Sequence, residues 1–221
     1  NERNGAQIGK TWQMKVLGTI PSYIEKENLQ RLVEEILGLQ RGISVLIIDD
    51  DSPDGTGQIA DGLATAHPQV AVFHRAGKPS EGLSRRAGYC YGLTHGYDVV
   101  MEMDADFSHD PREIPKFLDQ INGWDVVIGS RFIAGSNQIG RSILRRAASR
   151  LANIYIRGLL NIKDVHDYGS GYRCYRSSIL ERIDLSEGSY TGPASLIRTL
   201  IRCNQAGSKI TEIPITYRER R

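Results

Sequence analysis

The sequence contains few cysteines and no long apolar segment, and each absence excludes a class of protein. Its three cysteines among 221 residues are far apart and include no CxxC pair, which argues against a disulfide framework and for reduced thiols in the cytoplasm. Nowhere do about 18 apolar residues follow one another, so no membrane-spanning helix is predicted. Residues 1–13 also lack the apolar core of a signal peptide, and we expect them to form a frayed N-terminal arm.

An excess of charge of one sign is missing as well. The formal net charge is +2 with 24% charged residues, so no overall field indicates a nucleic-acid partner, and we expect none. The arginines are nevertheless clustered, with five between Arg141 and Arg157 and three at 218–221. Such clusters suit phosphate groups or the anionic face of a membrane, and the helix around 141–157 could bind a membrane peripherally. A solvated helix face explains the same pattern equally well.

Short apolar runs alternate with amphipathic segments along residues 14–221. The runs predict strands at 14–20, 44–49, 70–74, 99–103, 125–130, 170–176 and 209–216. The amphipathic segments predict helices at 29–37, 57–67, 82–96, after Pro111, at 142–160 and at 193–206, with a polar loop at 131–141. This alternation indicates βαβ units and an α/β fold, with a mostly parallel central sheet flanked by helices, in a single domain.

Polar clusters follow four of the predicted strands. They are Ser22, Tyr23 and Glu25 after the first strand, Asp49, Asp50 and Asp51 after the second, Asp104 and Asp106 after the fourth, and Arg131 after the fifth. Because ligands bind beyond the carboxyl ends of the strands in open parallel sheets, we expect these clusters to share one edge and to form the site. The agreement among four clusters is stronger evidence than any one of them.

The stretch DADFSHD at 104–110 is the strongest candidate for a metal site. Asp104 and Asp106 alternate along an extended chain and can point to the same side. Two neighbouring carboxylates repel each other unless a cation lies between them, and Mg²⁺ or Mn²⁺ shared with substrate phosphates would meet that need. The alternative is that Asp106 or Ser108 only caps the helix that begins at Pro111. His109 could be a ligand or an exposed loop histidine.

Further polar residues suit a ligand with a base and phosphate groups. The three carboxylates at 49–51 exceed what a turn requires, and one of them could accept hydrogen bonds from a nucleobase. Arginine binds phosphate through two parallel hydrogen bonds, and the candidates are Arg131, Arg145 or Arg146, and Arg220. The sequence therefore predicts a site in which a cation and arginines hold a phosphorylated ligand.

Six stretches carry a family resemblance over nearly the whole chain, in order from Met14 onwards. They are IPSYIEKENL (20–29), IIDDDSPDGT (47–56), GYDVVMEMDADFSHDP (96–111), VVIGSRFIAG (126–135), DYGSGYRCYR (167–176) and EIPITYRER (212–220). Together they resemble the family 2 glycosyltransferases of the GT-A, Rossmann-like fold, and within them the polyprenol or dolichyl phosphate mannose synthases. The middle stretches are specific, so chance agreement does not explain the match.

The resemblance implies a metal-dependent glycosyltransferase that inverts the anomeric carbon of a hexose. It implies a nucleotide-sugar donor, with GDP-mannose as the first expectation, a polyprenyl or dolichyl phosphate acceptor, and Mg²⁺ or Mn²⁺ as cofactor. A UDP-hexose donor is the alternative within the family. An acceptor phosphate is already ionised near neutral pH and needs no strong base, so alignment and stabilisation of the departing GDP would carry the reaction.

The resemblance also implies roles for individual residues. The base and ribose would be held by Pro21, Tyr23, Glu25, Ile48 and Asp50. The metal and diphosphate would be held by Asp104 and Asp106, with the backbone of Ala105 and with Ser108 as a further metal ligand. Phosphates would be held by Arg131, Arg145 and Arg220. Asp167 stands where many relatives keep an acidic residue near the acceptor, so the implied catalytic set is Asp104, Asp106, Arg131 and Asp167.

Some positions depart from the family pattern, and other functions stay open. Ile24 replaces the usual asparagine, Gly169 replaces a threonine, and Pro193 and Ser195 replace polar and acidic residues, which leaves the sugar and the lipid less defined than the fold. A non-catalytic nucleotide-sugar-binding relative is one alternative. A phosphatase of the haloacid dehalogenase type, with Asp104 as nucleophile, is another, but it leaves the first two polar clusters unexplained. Nucleotidyl transfer usually needs a Gly-rich, basic loop after the first strand, and the loop here is not of that kind.

Overall fold

A computed structural model describes residues 14–160, 162, 164–186, 188, 190 and 194–220. The predicted arm at 1–13 and Pro193 lie outside the described residues. Within this part of the chain, the central sheet has seven strands, which are β1 Val16–Ser22, β2 Ile43–Asp49, β3 Val70–His74, β4 Val99–Glu102, β5 Val126–Ser130, β7 Arg173–Arg176 and β8 Ile210–Pro214. A second, small sheet pairs β6 Asn137–Ile139 with β9 Thr216–Arg218. The order across the central sheet is β3-β2-β1-β4-β7-β5-β8.

Helices cover both faces of the central sheet. They are α1 Leu29–Gly38, α2 Thr56–Ala66, α3 Glu81–Thr94, α4 Ile114–Gln120, α5 Ile143–Leu160, α6 Ser177–Leu180 and α7 Ser195–Gln205. Neighbouring residues of β4 face opposite sides of the sheet: Val99 belongs to the apolar cluster that includes Leu32 of α1, and Val100 to the cluster that includes Tyr89 of α3. The α/β class predicted from the sequence is therefore confirmed. None of the described helices is both long and apolar enough to cross a membrane.

Helix α1 shows how the sequence pattern produces one of these faces. Leu29, Leu32, Val33 and Ile36 recur at helical spacing, and each is at most 1% exposed. Burial of each such side chain stabilises the fold by about 1.5–3 kcal/mol. The helix is therefore held by packing of one stripe against the sheet rather than by its own hydrogen bonds.

Strand directions decide which loops meet. β1 is parallel to β2 and β4, and β7 runs antiparallel between β4 and β5. The carboxyl ends of β1, β2, β4 and β5 consequently lie on one edge of the sheet, here called the carboxyl edge. The four polar clusters follow these strands, in agreement with the prediction that they share an edge.

Two predicted elements differ from the structure. The predicted strand at 209–216 is divided between two sheets, because β8 ends at Pro214 in the central sheet and β9 begins at Thr216 in the second sheet. The predicted loop at 131–141 contains β6, which pairs with β9. Strands of three residues carry too little alternation to be recognised from the sequence. The small sheet directs the end of the described chain across the carboxyl edge, where the Arg218 N–H donates to the Ser108 carbonyl at 3.0 Å.

Candidate active site

A cavity of about 410 Å³ opens at the carboxyl edge. Eight of the residues proposed from the sequence lie in its wall, namely Pro21, Tyr23, Glu25, Asp50, Asp104, Ala105, Asp106 and Arg220. They lie at or after the ends of β1, β2, β4 and β9, so only folding brings them together. Charged side chains of both signs line the cavity, which suits a ligand that carries hydroxyl and phosphate groups.

In the loop after β4, Asp106 does not cap the next helical turn. Asp106 Oδ1 accepts the Ser108 N–H at 2.9 Å within the loop itself. The turn that begins at Pro111 is capped by Asp110, whose Oδ1 accepts the Arg112 N–H at 3.0 Å. The capping role considered for Asp106 or Ser108 therefore belongs to Asp110, and Asp106 stays in the cavity wall.

His109 supports this loop from inside the protein. It is 2% exposed, and its ring stacks on Tyr172 with the ring centroids 4.8 Å apart. Its Nδ1 accepts a hydrogen bond from the Asp104 backbone N–H at 3.1 Å, which places the proton of a neutral ring on Nε2. Burial lowers the pKa of His109 and favours that neutral ring. His109 is thus neither an exposed loop histidine nor a metal ligand in this arrangement, because neither ring nitrogen has a free lone pair.

Asp104 and Asp106 do not form a complete metal site by themselves. Among the described residues there is no group of three or more His, Cys, Asp or Glu side chains that could hold a metal ion. The Asp104 side chain is 41% exposed and shares the cavity wall with Asp106. This pair fits Mg²⁺ or Mn²⁺, because such ions bind through one or two carboxylates and complete their shell with substrate phosphates and water. Ser108, the further ligand implied by the resemblance, is 2% exposed and is not part of this cavity wall.

Arg85 of α3 is a cavity residue that the sequence did not reveal. Its guanidinium lies 3.7 Å from the carboxylates of Glu102 and Asp104 and 3.1 Å from that of Glu81. Burial alone would lower the pKa of Arg85, but these carboxylates raise it, so the group is a fixed positive charge beside Asp104. Arg86, the next residue, binds a backbone carbonyl elsewhere. Helical periodicity does not say which of two adjacent arginines points inward.

Arg131 and Asp167 form a bidentate ion pair at the end of β5. Nε and Nη2 of Arg131 each lie 2.7 Å from an oxygen of Asp167, which is fully buried. The Arg131 backbone N–H donates to the same carboxylate at 3.0 Å. The guanidinium also lies over the ring of Tyr217, 5.3 Å from its centroid. Asp167 therefore orients Arg131 and would act on a ligand through it.

A short glycine-containing segment lies close to both Arg131 and Asp104. A Cβ atom added to Gly169 would lie 3.4 Å from Arg131 Nη2, which is ordinary van der Waals contact. A Cβ atom added to Gly171 would lie 3.3 Å from Asp104 Oδ1, which is a tight contact. Gly171 in the stretch DYGSGYRCYR thus allows the chain to pass close to the Asp104 carboxylate without displacing it.

The end of the described chain closes one side of the cavity. Arg220 Nη1 lies 3.0 Å from Glu25 Oε1, and this pair joins residues from opposite ends of the sequence. Burial raises the pKa of Glu25, although Asn28 and Arg220 oppose the shift. The pair with Glu25 therefore holds Arg220 at the wall of the cavity. This position agrees with the phosphate contact that the sequence predicts for Arg220.

Asp50 and Ile48, both expected near a base, differ in position. Asp50 lies in the cavity wall, and three groups donate to its carboxylate: Arg75 Nε at 2.7 Å, the Ser80 N–H at 2.7 Å and Ser84 Oγ at 2.5 Å. A carboxylate accepts about four hydrogen bonds, so the Asp50 carboxylate can accept about one more.

Ile48 has no exposed surface, because the pleat of β2 turns its side chain into the core. Ile48 was expected to help hold the base and ribose, and because its side chain lies in the core, only its backbone is available for such a contact.

The arginines of α5 lie on the other side of Arg131. Arg145 pairs with Glu219 at 2.6 Å and is not part of the 410 Å³ cavity. A second cavity of about 650 Å³ has Arg131, Arg146 and Arg150 in its wall. Of the two candidates left open by the sequence, the structure thus brings Arg146 to Arg131 and ties Arg145 to the end of the chain.

Left-handed backbone occurs in three loops of the carboxyl edge. The φ angles are +59° at Ile24, +56° at Asp51 and +58° at Phe107. Aspartate tolerates this conformation, but it is unfavourable for a branched side chain such as isoleucine. Backbone strain of this kind clusters at ligand sites, and its presence in three adjacent loops agrees with the position of the cavity.

Residues 19–184 match the model of the family described as Glycosyl transferase family 2. The polyprenol monophosphomannose synthase of Mycolicibacterium smegmatis is 41% identical over 208 residues, which cover 93% of this chain and 78% of that relative. The undecaprenyl-phosphate mannosyltransferase of Micrococcus luteus is 38% identical over 207 residues, which cover 94% of this chain and 85% of the relative. The dolichol-phosphate mannosyltransferase of Pyrococcus furiosus is 35% identical over 208 residues, which cover 92% of this chain but 56% of the relative.

Solved structures share the fold at lower identity. Glucosyl-3-phosphoglycerate synthase from Mycobacterium tuberculosis, in complex with Mn²⁺, uridine diphosphate and phosphoglyceric acid, matches with a TM-score of 0.70 at 17% identity and covers 94% of this chain and 71% of its own. A mannosyltransferase from Pyrobaculum calidifontis, in complex with GDP-Man and Mn²⁺, matches with a TM-score of 0.60 at 16% identity and covers 95% of this chain and 58% of its own. At these identities the likeness shows the fold alone, and that fold is the GT-A architecture expected from the sequence.

Proposed function

The chain belongs to glycosyl transferase family 2, and on this basis we propose that it transfers a hexose from a nucleotide sugar to a polyprenyl phosphate. The donor would be GDP-mannose, and the product a polyprenyl phosphate mannose. One observation carries the proposal: the segment 169–171 lies close both to Asp104 in the wall of the 410 Å³ cavity and to Arg131 in the wall of the 650 Å³ cavity. Two adjoining cavities, each with arginine in its wall, suit a diphosphate donor and a phosphate acceptor.

The donor would occupy the 410 Å³ cavity. Pro21, Tyr23, Glu25 and Asp50 would surround the base and ribose, and Asp50 retains about one acceptor position for a base N–H. The diphosphate would lie beside Asp104, Ala105 and Asp106, between the charges of Arg85 and Arg220. Mannose is supported by the names of the three relatives, each a mannose synthase or mannosyltransferase.

Asp104 and Asp106 would hold Mg²⁺ or Mn²⁺ together with the diphosphate, and Ser108 of the same loop is the further ligand that the resemblance implies. When bound, the ion supplies positive charge that stabilises the leaving diphosphate. Arg85 lies 3.7 Å from Asp104, so this chain also provides a fixed cation of its own at the same position. The carboxylates would thus bind and orient the donor rather than move protons.

The acceptor phosphate would lie in the 650 Å³ cavity, where Arg131 and Arg146 can bind it. An oxygen of that phosphate would attack the anomeric carbon of the sugar, and the bond between this carbon and the donor diphosphate would break. An ionised phosphate needs no general base, so no proton has to be removed. Asp167 keeps the Arg131 guanidinium in one orientation, and alignment of the two reactants supplies most of the catalysis. Attack opposite to the leaving group gives inversion.

A transfer assay tests the proposal. Radiolabelled GDP-mannose, UDP-glucose and UDP-galactose would each be incubated with a short, soluble polyprenyl phosphate and Mg²⁺, Mn²⁺ or EDTA. We expect label in the lipid phosphate from GDP-mannose with a divalent ion and none with EDTA. Transfer from a UDP-hexose alone would replace the donor assignment. Thermal stabilisation by a nucleotide sugar without any transfer would instead support the non-catalytic alternative.

A further inference from the structure

Glu212 of β8 is a buried carboxylate that lines neither of the two cavities. Its side chain is 3% exposed. Its Oε1 accepts two consecutive backbone N–H groups, that of His166 at 2.8 Å and that of Asp167 at 2.7 Å. Its Oε2 lies 2.8 Å from Nδ1 of His166. A buried carboxylate that is satisfied in this way holds the backbone of residues 166–167 in one position.

The segment held by Glu212 carries the carboxylate that binds Arg131. Four N–H groups donate to the Asp167 side chain: Nε and Nη2 of Arg131 at 2.7 Å each, the Arg131 backbone at 3.0 Å and the Gly169 backbone at 3.2 Å. A carboxylate accepts about four hydrogen bonds, so Asp167 has no acceptor position left for a ligand. Its contribution is to orient Arg131, and this orientation depends on where the backbone of Asp167 lies.

The sheet register brings Glu212 to this place. β8 is parallel to β5, Glu212 lies opposite Ile128, and Arg131 directly follows the end of β5. The contacts therefore form a closed circuit, from β5 through Arg131 and Asp167 to Glu212, and back through β8 to β5. A displacement of Arg131 must break either a short hydrogen bond or the pairing of the two strands, so the circuit fixes the position of its guanidinium.

We propose that Glu212 is a positioning residue for the transfer reaction. By accepting the N–H groups of His166 and Asp167, it fixes the Asp167 carboxylate and thereby holds the Arg131 guanidinium at the wall of the 650 Å³ cavity. The effect on the reaction rests on the proposed function, in which Arg131 binds the acceptor phosphate. The positioning itself is a property of the protein without substrate and can be measured separately.

Two variants of similar shape separate these hydrogen bonds from packing. Glu212→Gln retains an oxygen that can accept both N–H groups, whereas Glu212→Met has a similar length and no oxygen. The control is Asp125→Leu, because Asp125 Oδ2 accepts the Lys209 N–H at 2.8 Å and joins the same two strands at the end away from Arg131. If Glu212→Met does not fold, Glu212→Asp replaces it, because a side chain shorter by one methylene group leaves the N–H groups out of reach.

The first measurement needs no substrate. In protein with ¹⁵N-labelled arginine, the Nε–H signal of Arg131, assigned by its loss in Arg131→Lys, reports the ion pair with Asp167. We expect slow exchange of this proton with water in the wild type, in Glu212→Gln and in Asp125→Leu, and exchange at least tenfold faster in Glu212→Met. Unchanged exchange in Glu212→Met, or equally fast exchange in Glu212→Gln or in the control, would overturn the proposal.

Transfer kinetics provide the second measurement. We expect the KM for a soluble polyprenyl phosphate to rise about tenfold or more in Glu212→Met. The KM for GDP-mannose should stay unchanged, because neither Glu212 nor Arg131 lines the 410 Å³ cavity. A general loss of folded protein would lower kcat without this selective rise, and that result or an equal rise in both KM values contradicts the positioning role. Absence of transfer in the wild type, with the Arg131 signal behaving as expected, contradicts only the proposed function.

Discussion

The Nδ1 atom of His109 accepts a hydrogen bond from the backbone N–H of Asp104 at 3.1 Å. The ring that makes this bond is packed against Tyr172 and lies near Tyr217, with centroid distances of 4.8 and 6.2 Å. A residue buried behind the loop therefore fixes the direction in which the Asp104 carboxylate leaves the backbone. The cavity wall depends in this way on a side chain that does not reach the cavity.

Replacement of His109 tests this positional role. His109→Phe keeps an aromatic ring against Tyr172 but leaves the Asp104 N–H without its acceptor, which costs about 1–3 kcal/mol. We expect the concentration of divalent ion required for half-maximal transfer to rise about tenfold or more, because a loop that moves binds the ion less well. The exposed His95→Phe is the control and should leave that concentration unchanged. An unchanged metal requirement in a folded His109→Phe protein would contradict the role.

Loss of either cavity carboxylate should abolish transfer. Asp104→Asn or Asp106→Asn removes a negative charge needed to bind the divalent ion and the diphosphate, and we expect activity to fall roughly 100-fold or more. Thermal unfolding should be little changed, because the Asp104 side chain is 41% exposed. Asp119→Asn makes the same charge change on exposed α4 surface and should retain full activity. Full activity in either cavity variant would remove the metal assignment.

The pair of Arg131 and Asp167 should contribute to stability as well as to function. Asp167→Asn leaves the Arg131 charge without its buried partner, and we expect the free energy of unfolding to fall by about 3–5 kcal/mol. Glu35→Gln breaks the exposed pair of Arg31 and Glu35 and should cost about 0.3–0.5 kcal/mol. Urea unfolding of both variants measures the difference. Similar losses of unfolding free energy in the two variants would show that the buried pair contributes no more to stability than the exposed pair.

Backbone strain at Ile24 should be removable. Its φ is +59°, where an asparagine is tolerated and a branched residue is not, so Ile24→Asn should raise the free energy of unfolding by about 1 kcal/mol. Ile139→Asn is the matched control, since Ile139 is similarly exposed and lies in β6 with ordinary strand geometry. It should not stabilise the protein. Differential scanning calorimetry can compare the two, and a stabilising effect in both would point to surface polarity instead of strain.

His74 should make stability depend on pH. A hydrogen bond to Asp61 raises the pKa of His74; partial burial opposes this shift, and Asp49 adds to it. A raised pKa in the folded state means that this stabilisation is fully present below the ordinary value of about 6.5 and is lost as pH rises through the folded pKa. Asp61→Asn should therefore reduce the loss of stability that occurs as pH rises above about 6.5. The same loss in wild type and variant, measured by urea unfolding, would rule out the pair as its source.

The order of strands and helices could be predicted because each element has a short-range pattern of apolar and polar residues. The strand that ends before Asp104 and the helix that contains Leu32 each show a short-range periodicity, and periodicity depends only on neighbouring residues. The rule that ligands bind at strand ends then predicted that the polar clusters share one edge of the sheet. Eight proposed residues accordingly line one cavity.

Individual roles within the site could not be predicted in the same way. Arg85 and Arg86 are adjacent and chemically identical, and the choice between them depends on Glu102 and Asp104, which pack against α3 from another part of the chain. Ile48 was expected at the ligand, but its place in the pleat of β2 makes it core. These outcomes follow from contacts between distant segments, which no local pattern contains.

Helix α5 separates the two kinds of information most clearly. The sequence by itself predicted an arginine-rich helix at 142–160, which the structure places at Ile143–Leu160, and spacing along the chain determines which of its side chains share a face. An apolar stripe on such a helix ordinarily packs against the core. Only the tertiary structure decided that Asn153 turns inward while Leu151 and Tyr155 face outward, because the hydrogen bond from the Tyr168 N–H satisfies the buried amide and leaves the apolar side uncovered.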